Sequence, residues 1–383
     1  MSRVLAFAAA AAIAVAGLAP TAADAQMKVG LIPSSTGPIS VVGIPQKNTA
    51  ALLPQKIGDI SVEYTVLDDA SDPTQTAQAV KKLLTDNVDA IIGPSGSPNA
   101  MGIIGFIAEA GTPLLAPVGT AAAVLPMDDK KKWVFKTTQN DDIIAKALVD
   151  HMTKTGVKTV GIIAVNDPFG ENWVKTFTAI AEKAGIKISS TERYQRVDTS
   201  VMAQTLKLVG QNPDAVLVAA AGGSTILPHT TLVDQGYKGK IYQTHGAAAP
   251  AFLKLGGKKV EGAILAASLM LVIDEIPDSN PSKKVATAYI DAYKKLYGEI
   301  PATFGANVYD AGLLLQAAVP EAAKAGKPGT KEFRAGLRDA LEKTKELVGT
   351  QGVYNMTADD HSGFDERGRV MITVKDGKWK LLQ

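Results

Sequence analysis

The chain has 383 residues, 46% hydrophobic and 20% charged, with a net charge of +2. These values describe a globular protein too long for one ordinary core, and they give no electrostatic case for nucleic acid. There is no cysteine, and the four histidines (His151, His229, His245 and His361) form no H-x-x-x-H pair, which excludes thiol chemistry and argues against a zinc site.

Residues 1–25 read as a signal peptide. Arg3 supplies the charged start, Val4–Leu18 the apolar core, and Ala23-Asp24-Ala25 the cleavage signal. The apolar run is short for a membrane span. The mature chain is therefore expected to begin near Gln26 and to work outside the cytoplasm, in solution.

Strand-like and helix-like segments then alternate. KVGLIP (28–33) and SVEYTVLDD (61–69) read as strands. PTQTAQAVKKLLTDN (73–87) reads as an amphipathic helix, with Asp72 as N-cap and Pro73 in its first turn. DAIIG (89–93) and TPLLAP (112–117) are short apolar runs with a helical stretch between them. This is the rhythm of βαβ units in a parallel sheet. It restarts at KTVGIIAV (158–165), with a helix at 169–185 and further strands at 185–195, 213–220 and 239–246. Beyond Ala266 three helices follow, at 282–298, 304–326 and 330–344. Helices without strands make a poor third domain, so they are expected to cover sheets already built. Two short strands, 370–374 and 378–383, joined by a turn at Lys375-Asp376-Gly377, close the chain. The fold class is thus α/β, with two doubly wound parallel-sheet lobes.

The loop in IIGPSGSPNAMG (91–102) lies between a strand and a helix. It lacks the Lys of a phosphate loop and the G-x-G-x-x-G of a dinucleotide site. Ser97 fits an N-cap and Pro98 a first helical position, a geometry that favours one negative charge. The next strand ends in APVGT (116–120). If the two strands are neighbours, Ser97 and Thr120 lie side by side at the sheet edge where α/β proteins bind ligands. Two hydroxyls and several N–H groups without a basic residue suit a carboxylate.

Other candidates are weaker. DDASDP (68–73) lacks calcium-loop spacing and reads as a strand end with a cap. AAAGGST (219–225) serves either close ligand approach or a simple turn. Trp173 reads as packing, whereas Phe169 could cover a ligand. No G-x-S-x-G elbow occurs. Ser97 with His245 is the one nucleophile–base pair an exported hydrolase could use.

Five stretches together carry a resemblance: KVGLIPSSTGPISVVG (28–43), LDDASDPTQTAQAVKKLLTDNVDAIIGPSGS (67–97), LLAPVGT (114–120), KTVGIIAVNDPFGENW (158–173) and NVYDAGLLL (307–315). The chain resembles the periplasmic solute-binding proteins of ABC importers, of the branched-chain amino-acid type. The resemblance implies two lobes joined by a three-segment hinge near Thr137–Gln139, Ala266–Ser268 and Gly352, with the ligand in the cleft between them. Lobe one would hold 26–138 and 268–351, and lobe two 139–267 and 352–383. It further implies a non-enzymatic monomer without cofactor, whose partners are a small carboxylate ligand and a membrane permease. Ser97 and Thr120 would hold the carboxylate, with backbone from Ser95 and Val118, and Val42, Phe169, Ala221 and Phe304 would form the walls. A disulfide of some relatives aligns with Ser71 and Gly96 and is absent here. The acidic residue that meets a ligand ammonium aligns with His245. An unpaired buried ammonium costs several kcal/mol, so the chain looks like the members that import aromatic acids. The alternative is that His245 points away and the ligand is an aliphatic amino acid or amide.

Overall fold

The computed structural model describes residues 26–382. The signal segment expected at residues 1–25 lies outside the described residues. The described residues form two large sheets, each the floor of one lobe, and a two-stranded ribbon of Leu347–Val348 with Val353–Tyr354.

The first sheet runs in the order Lys56–Ile57, Ile60–Val66, Gln26–Leu31, Ala90–Ile92, Leu114–Ala116, Val134–Lys136. All neighbours are parallel except the short Lys56–Ile57 edge. The inner strands Ala90–Ile92 and Leu114–Ala116 are apolar at every position because both faces are covered. Successive side chains point to opposite faces. Ile91 and Leu114 pack under the helices Pro73–Thr85 and Ser97–Ala110, through Val80, Leu83, Ile103 and Ile107. Ile92 and Leu115 face Leu315, Val319, Phe333 and Leu337 of the helices Thr303–Ala325 and Lys331–Glu342. These two late helices therefore cover a sheet built early in the chain, as expected, while the third, Pro281–Tyr297, packs in a cluster with Leu265, Ala267, Ile372 and Val374 of the second sheet. Asp72 caps its helix by accepting from the Gln75 N–H at 2.9 Å.

The second sheet runs Lys378–Leu381, Val370–Lys375, Ile264–Ala267, Lys240–Gln243, Ala215–Ala219, Thr159–Val165, Lys187–Tyr194. The five strands from Ile264–Ala267 onward are mutually parallel, and the C-terminal hairpin adds antiparallel at the edge. Asp376 and Gly377 both have positive φ, 54° and 68°. That is the backbone a two-residue hairpin turn needs. The chain enters the second sheet after Lys136, leaves it after Ala267, and returns with Val370.

Candidate functional site

Strands Ala90–Ile92 and Leu114–Ala116 are parallel neighbours, with Ile92 beside Leu115. The loops that follow them share one edge of the first sheet. The helix after the first loop starts one residue earlier than its sequence suggests. Gly96, not Ser97, is the N-cap, and Ser97 occupies the first helical position. The cause is Asn99: its Oδ1 would lie 2.4 Å from a Cβ on Gly96, so the place of a capping side chain is already filled. The Asn99 amide is held there by donating to Asp69 and Thr76. Ser97 is thereby released from capping. Its hydroxyl makes no hydrogen bond among the described residues, and the N–H groups of Ser97 and Asn99 lie where a helix has no internal acceptors.

A cleft between the lobes is closed down to a cavity of about 40 Å³. The first lobe lines it with Ile39, Val42, Ser95, Ser97, Gly119 and Phe304, and the second with Phe169, Arg196, Ala221 and His245. Thr138 and Asn307 stand at the crossover. The Ser95 hydroxyl is committed: it accepts from Ser34 N–H at 2.8 Å and donates to Gln46 Oε1 at 2.5 Å. Only its backbone is spare.

Two expected residues are not on the wall. Pro117 and Gly119 line the cleft, while Val118 and Thr120 between and beyond them are buried. Extended backbone turns alternate side chains to opposite sides. The Thr120 hydroxyl accepts from Ala122 N–H at 3.3 Å and caps the short turn that follows.

The lobes are closed on one another. A Cβ on Gly119 would lie 2.8 Å from Phe169 Cε2, 3.0 Å from His245 Nε2 and 3.1 Å from Asp141 Oδ1. Thr303 of the first lobe donates to Ala248 O of the second at 3.0 Å. Trp173 is fully buried, 5.9 Å from the His245 ring.

Three charged groups near the cleft carry no signal in the motifs. Lys136, fully buried at the end of the last strand of its sheet, donates to Gly119 O at 2.6 Å, Asn140 Oδ1 at 2.7 Å and Gln139 O at 3.3 Å. It ties the Gly119 loop to the first crossover. Burial pushes its pKa down to about 8, and the charge of Asp141 resists the shift. Asp141, also fully buried, accepts from Asn172 Nδ2 at 2.5 Å and leaves Oδ1 without a donor, 4.0 Å from His245 Nε2. Burial pushes it up to about 7, against the pull of Lys136. His245 is driven down to about 3 by burial and by Lys136, so its ring is neutral. Arg196 follows a second-lobe strand and pairs with Asp167 at 2.6 Å. It is the one cation lining the cleft among the described residues, and no carboxylate lines it.

The acidic loop is structural. Asp68 accepts from the Ser35 and Ala70 N–H groups and the Thr36 hydroxyl, and Asp69 accepts from Ser71 N–H and Thr76. No group of three metal-ligating side chains occurs among the described residues. Ser97 and His245 both line the cleft but are not hydrogen-bonded to each other.

The sequence profile of the periplasmic binding proteins matches residues 26–378. A solved extracellular ligand-binding receptor from Rhodopseudomonas palustris HaA2 is 44% identical, covering 94% of this chain and all of that one, with a TM-score of 0.91. The Leu/Ile/Val-binding protein homolog 3 of Brucella melitensis is 24% identical over 88% of this chain and 90% of its own length. LivJ of Streptococcus pneumoniae, solved with isoleucine, shares the fold at a TM-score of 0.77 and 21% identity, over 93% of this chain and 99% of that one. Two parallel-sheet lobes closing on a cleft, and a profile match over residues 26–378, place the chain in the periplasmic binding protein family.

Proposed function

We propose that the protein is a periplasmic solute-binding protein that captures an aromatic acid or aromatic keto acid and hands it to the membrane permease of an ABC importer. The observation that carries the ligand class is the charge of the cleft wall. It holds a cation, Arg196, and no carboxylate. An α-amino acid needs an anionic partner for its ammonium, whereas an acid does not.

The ligand carboxylate sits at the helix N-terminus, against the free Ser97 hydroxyl and the N–H groups around it, with backbone from Ser95 and Val118. Such a terminus favours an anion by up to ~2 kcal/mol when partly buried. Thr120 lends its hydroxyl once the loop turns toward the ligand. Val42, Phe169, Ala221 and Phe304 enclose the ring, worth roughly 1.5–3 kcal/mol if fully buried. Neutral His245 donates to a keto or hydroxyl oxygen. The closed form touches the ligand from both sides, so ligand shifts the equilibrium toward closure. The hinge segments near 137–139, 266–268 and 352 divide the chain into lobe one (26–138, 268–351) and lobe two (139–267, 352–383). The protein acts as a monomer, with neither cofactor nor catalysis.

One observation favours a second reading, an aliphatic amino acid. Asp141 Oδ1 lacks a donor and lies near the cleft, and curated relatives are named as Leu/Ile/Val-binding proteins. Against it, Asp141 is sealed behind Gly119 and His245. A thermal-shift screen of benzoate, phenylacetate and phenylpyruvate against leucine, isoleucine and valine decides. Ligand at 100 times its dissociation constant adds about 2.7 kcal/mol of stability. A shift with the amino acids and none with the aromatic acids would overturn the proposal.

A further inference from the structure

Arg196 has no part in the carboxylate grip, yet the cleft wall is built around it. Its Nε donates to Asp167 Oδ2 at 2.6 Å. Its Nη1 donates to Ala221 O at 3.0 Å and to Ser224 Oγ at 3.3 Å. The guanidinium carbon lies 6.0 Å from the centre of the Phe169 ring. Asp167 is itself fixed, since its other oxygen accepts the Phe169 and Gly170 N–H groups at the start of the helix Pro168–Lys183. The guanidinium is therefore locked on one edge, and Nη2 makes no hydrogen bond to protein among the described residues.

We propose that Arg196 is a specificity residue, whose Nη2 receives a hydrogen-bond acceptor on the ligand at the end remote from the carboxylate. This rests on the aromatic-acid reading above. Ser97 belongs to the first lobe and Arg196 to the second, so a ligand spanning the cleft meets them with different groups. The charge of Arg196 is already balanced by Asp167 at contact distance. A neutral acceptor, such as a phenolic, methoxy or ring-keto oxygen, therefore suffices, and a second full negative charge would meet the Asp167 carboxylate nearby. The ligand class narrows to aromatic acids that carry oxygen on the ring. A bare ring leaves the Nη2 donor desolvated and without an acceptor, which polar sites reject strongly.

Calorimetry with two near-isosteric pairs tests this: 4-hydroxybenzoate against 4-methylbenzoate, and 4-hydroxyphenylpyruvate against 4-methylphenylpyruvate. Each is titrated into wild type, Arg196→Met and Arg196→Lys. At least one hydroxylated compound is expected to bind wild type about tenfold or more tighter than its methyl partner. Arg196→Met erases that preference, and the far-ultraviolet circular dichroism of the ligand-free variant reports an intact fold. Arg196→Lys keeps the charge against Asp167 but has no second amino group, and it loses the preference too. Equal affinities in wild type, or a preference that survives both variants, overturn the inference and leave the aromatic reading standing. Binding of leucine or isoleucine with no binding of either pair overturns both.

Discussion

Closure brings Gly119 of one lobe against Asp141, Phe169 and His245 of the other, and a single methyl group tests it. In Gly119→Ala the new Cβ lies 2.8 Å from a Phe169 ring carbon and 3.0 Å from His245 Nε2. Both are inside ordinary carbon contact, near 3.5–4.0 Å. The lobes must then stop short by several tenths of an ångström or more. Overpacking of this kind costs about 1–3 kcal/mol. At about 1.4 kcal/mol per tenfold, affinity falls roughly 5- to 150-fold. The open form is spared, because all three contacts lie across the cleft and Gly119 is not among the residues with left-handed backbone. Calorimetry gives the affinity, small-angle scattering the compaction on binding, and thermal unfolding without ligand the fold. The expected result is weaker binding, incomplete compaction and an unchanged ligand-free melting temperature. Wild-type affinity with full compaction would refute this geometry of closure.

Other perturbations address separate links. Ser97→Ala should weaken an aromatic carboxylate by about tenfold, the scale of one hydrogen bond to a charged group, without changing the melting temperature; unchanged affinity would remove Ser97 from the grip. Lys136→Met leaves the Gly119 and Gln139 carbonyls and the Asn140 amide oxygen without their donor, and it leaves Asp141 without a counter-charge. It should destabilise by about 3–5 kcal/mol in chemical denaturation, and near-wild-type stability would deny the pin its role. Asp310 is buried, accepts from Thr350 N–H and the Tyr354 hydroxyl, and is pushed up to about 7 by desolvation. Its folded pKa lies above the unfolded value near 4, so its contribution is fully present below about pH 4 and is lost as pH rises toward 7. Asp310→Asn should reduce the fall in stability between pH 5 and 8, by at most ~3 kcal/mol; an undiminished fall would show that Asp310 does not hold a proton in the fold.

The strands and their edge were legible because period and punctuation agree. Short apolar runs ending in Gly-Pro or Pro-Val-Gly mark buried parallel strands, and Asp72-Pro73 marks a helix start. The helix Ser40–Thr49 was not, because Gly43 and Pro45 both disfavour a helix interior. Packing requires Gly43: a Cβ there would lie 2.0 Å from Ser34 O. The helix Asp141–Lys154 did carry a signal, with Ile144, Leu148 and Met152 at four-residue spacing behind Asn140. Ser97 was found as a loop residue, but its release from capping depends on Asn99 reaching Asp69 across the fold. Lys136, Asp141 and Arg196 gain their meaning only from tertiary neighbours. Arg196 alone had a local hint, as a basic residue just past the end of a parallel strand, where α/β ligands bind.

The central claim is that this cleft receives a carboxylate and has no place for an ammonium beside it. Calorimetric titration of 3-phenylpropionate against L-phenylalanine isolates that difference, since the two share ring, chain and carboxylate. The account predicts that the acid binds at least tenfold tighter than the amino acid. Tighter binding of phenylalanine would mean that Asp141 or another carboxylate reaches the ligand, and it would contradict the account.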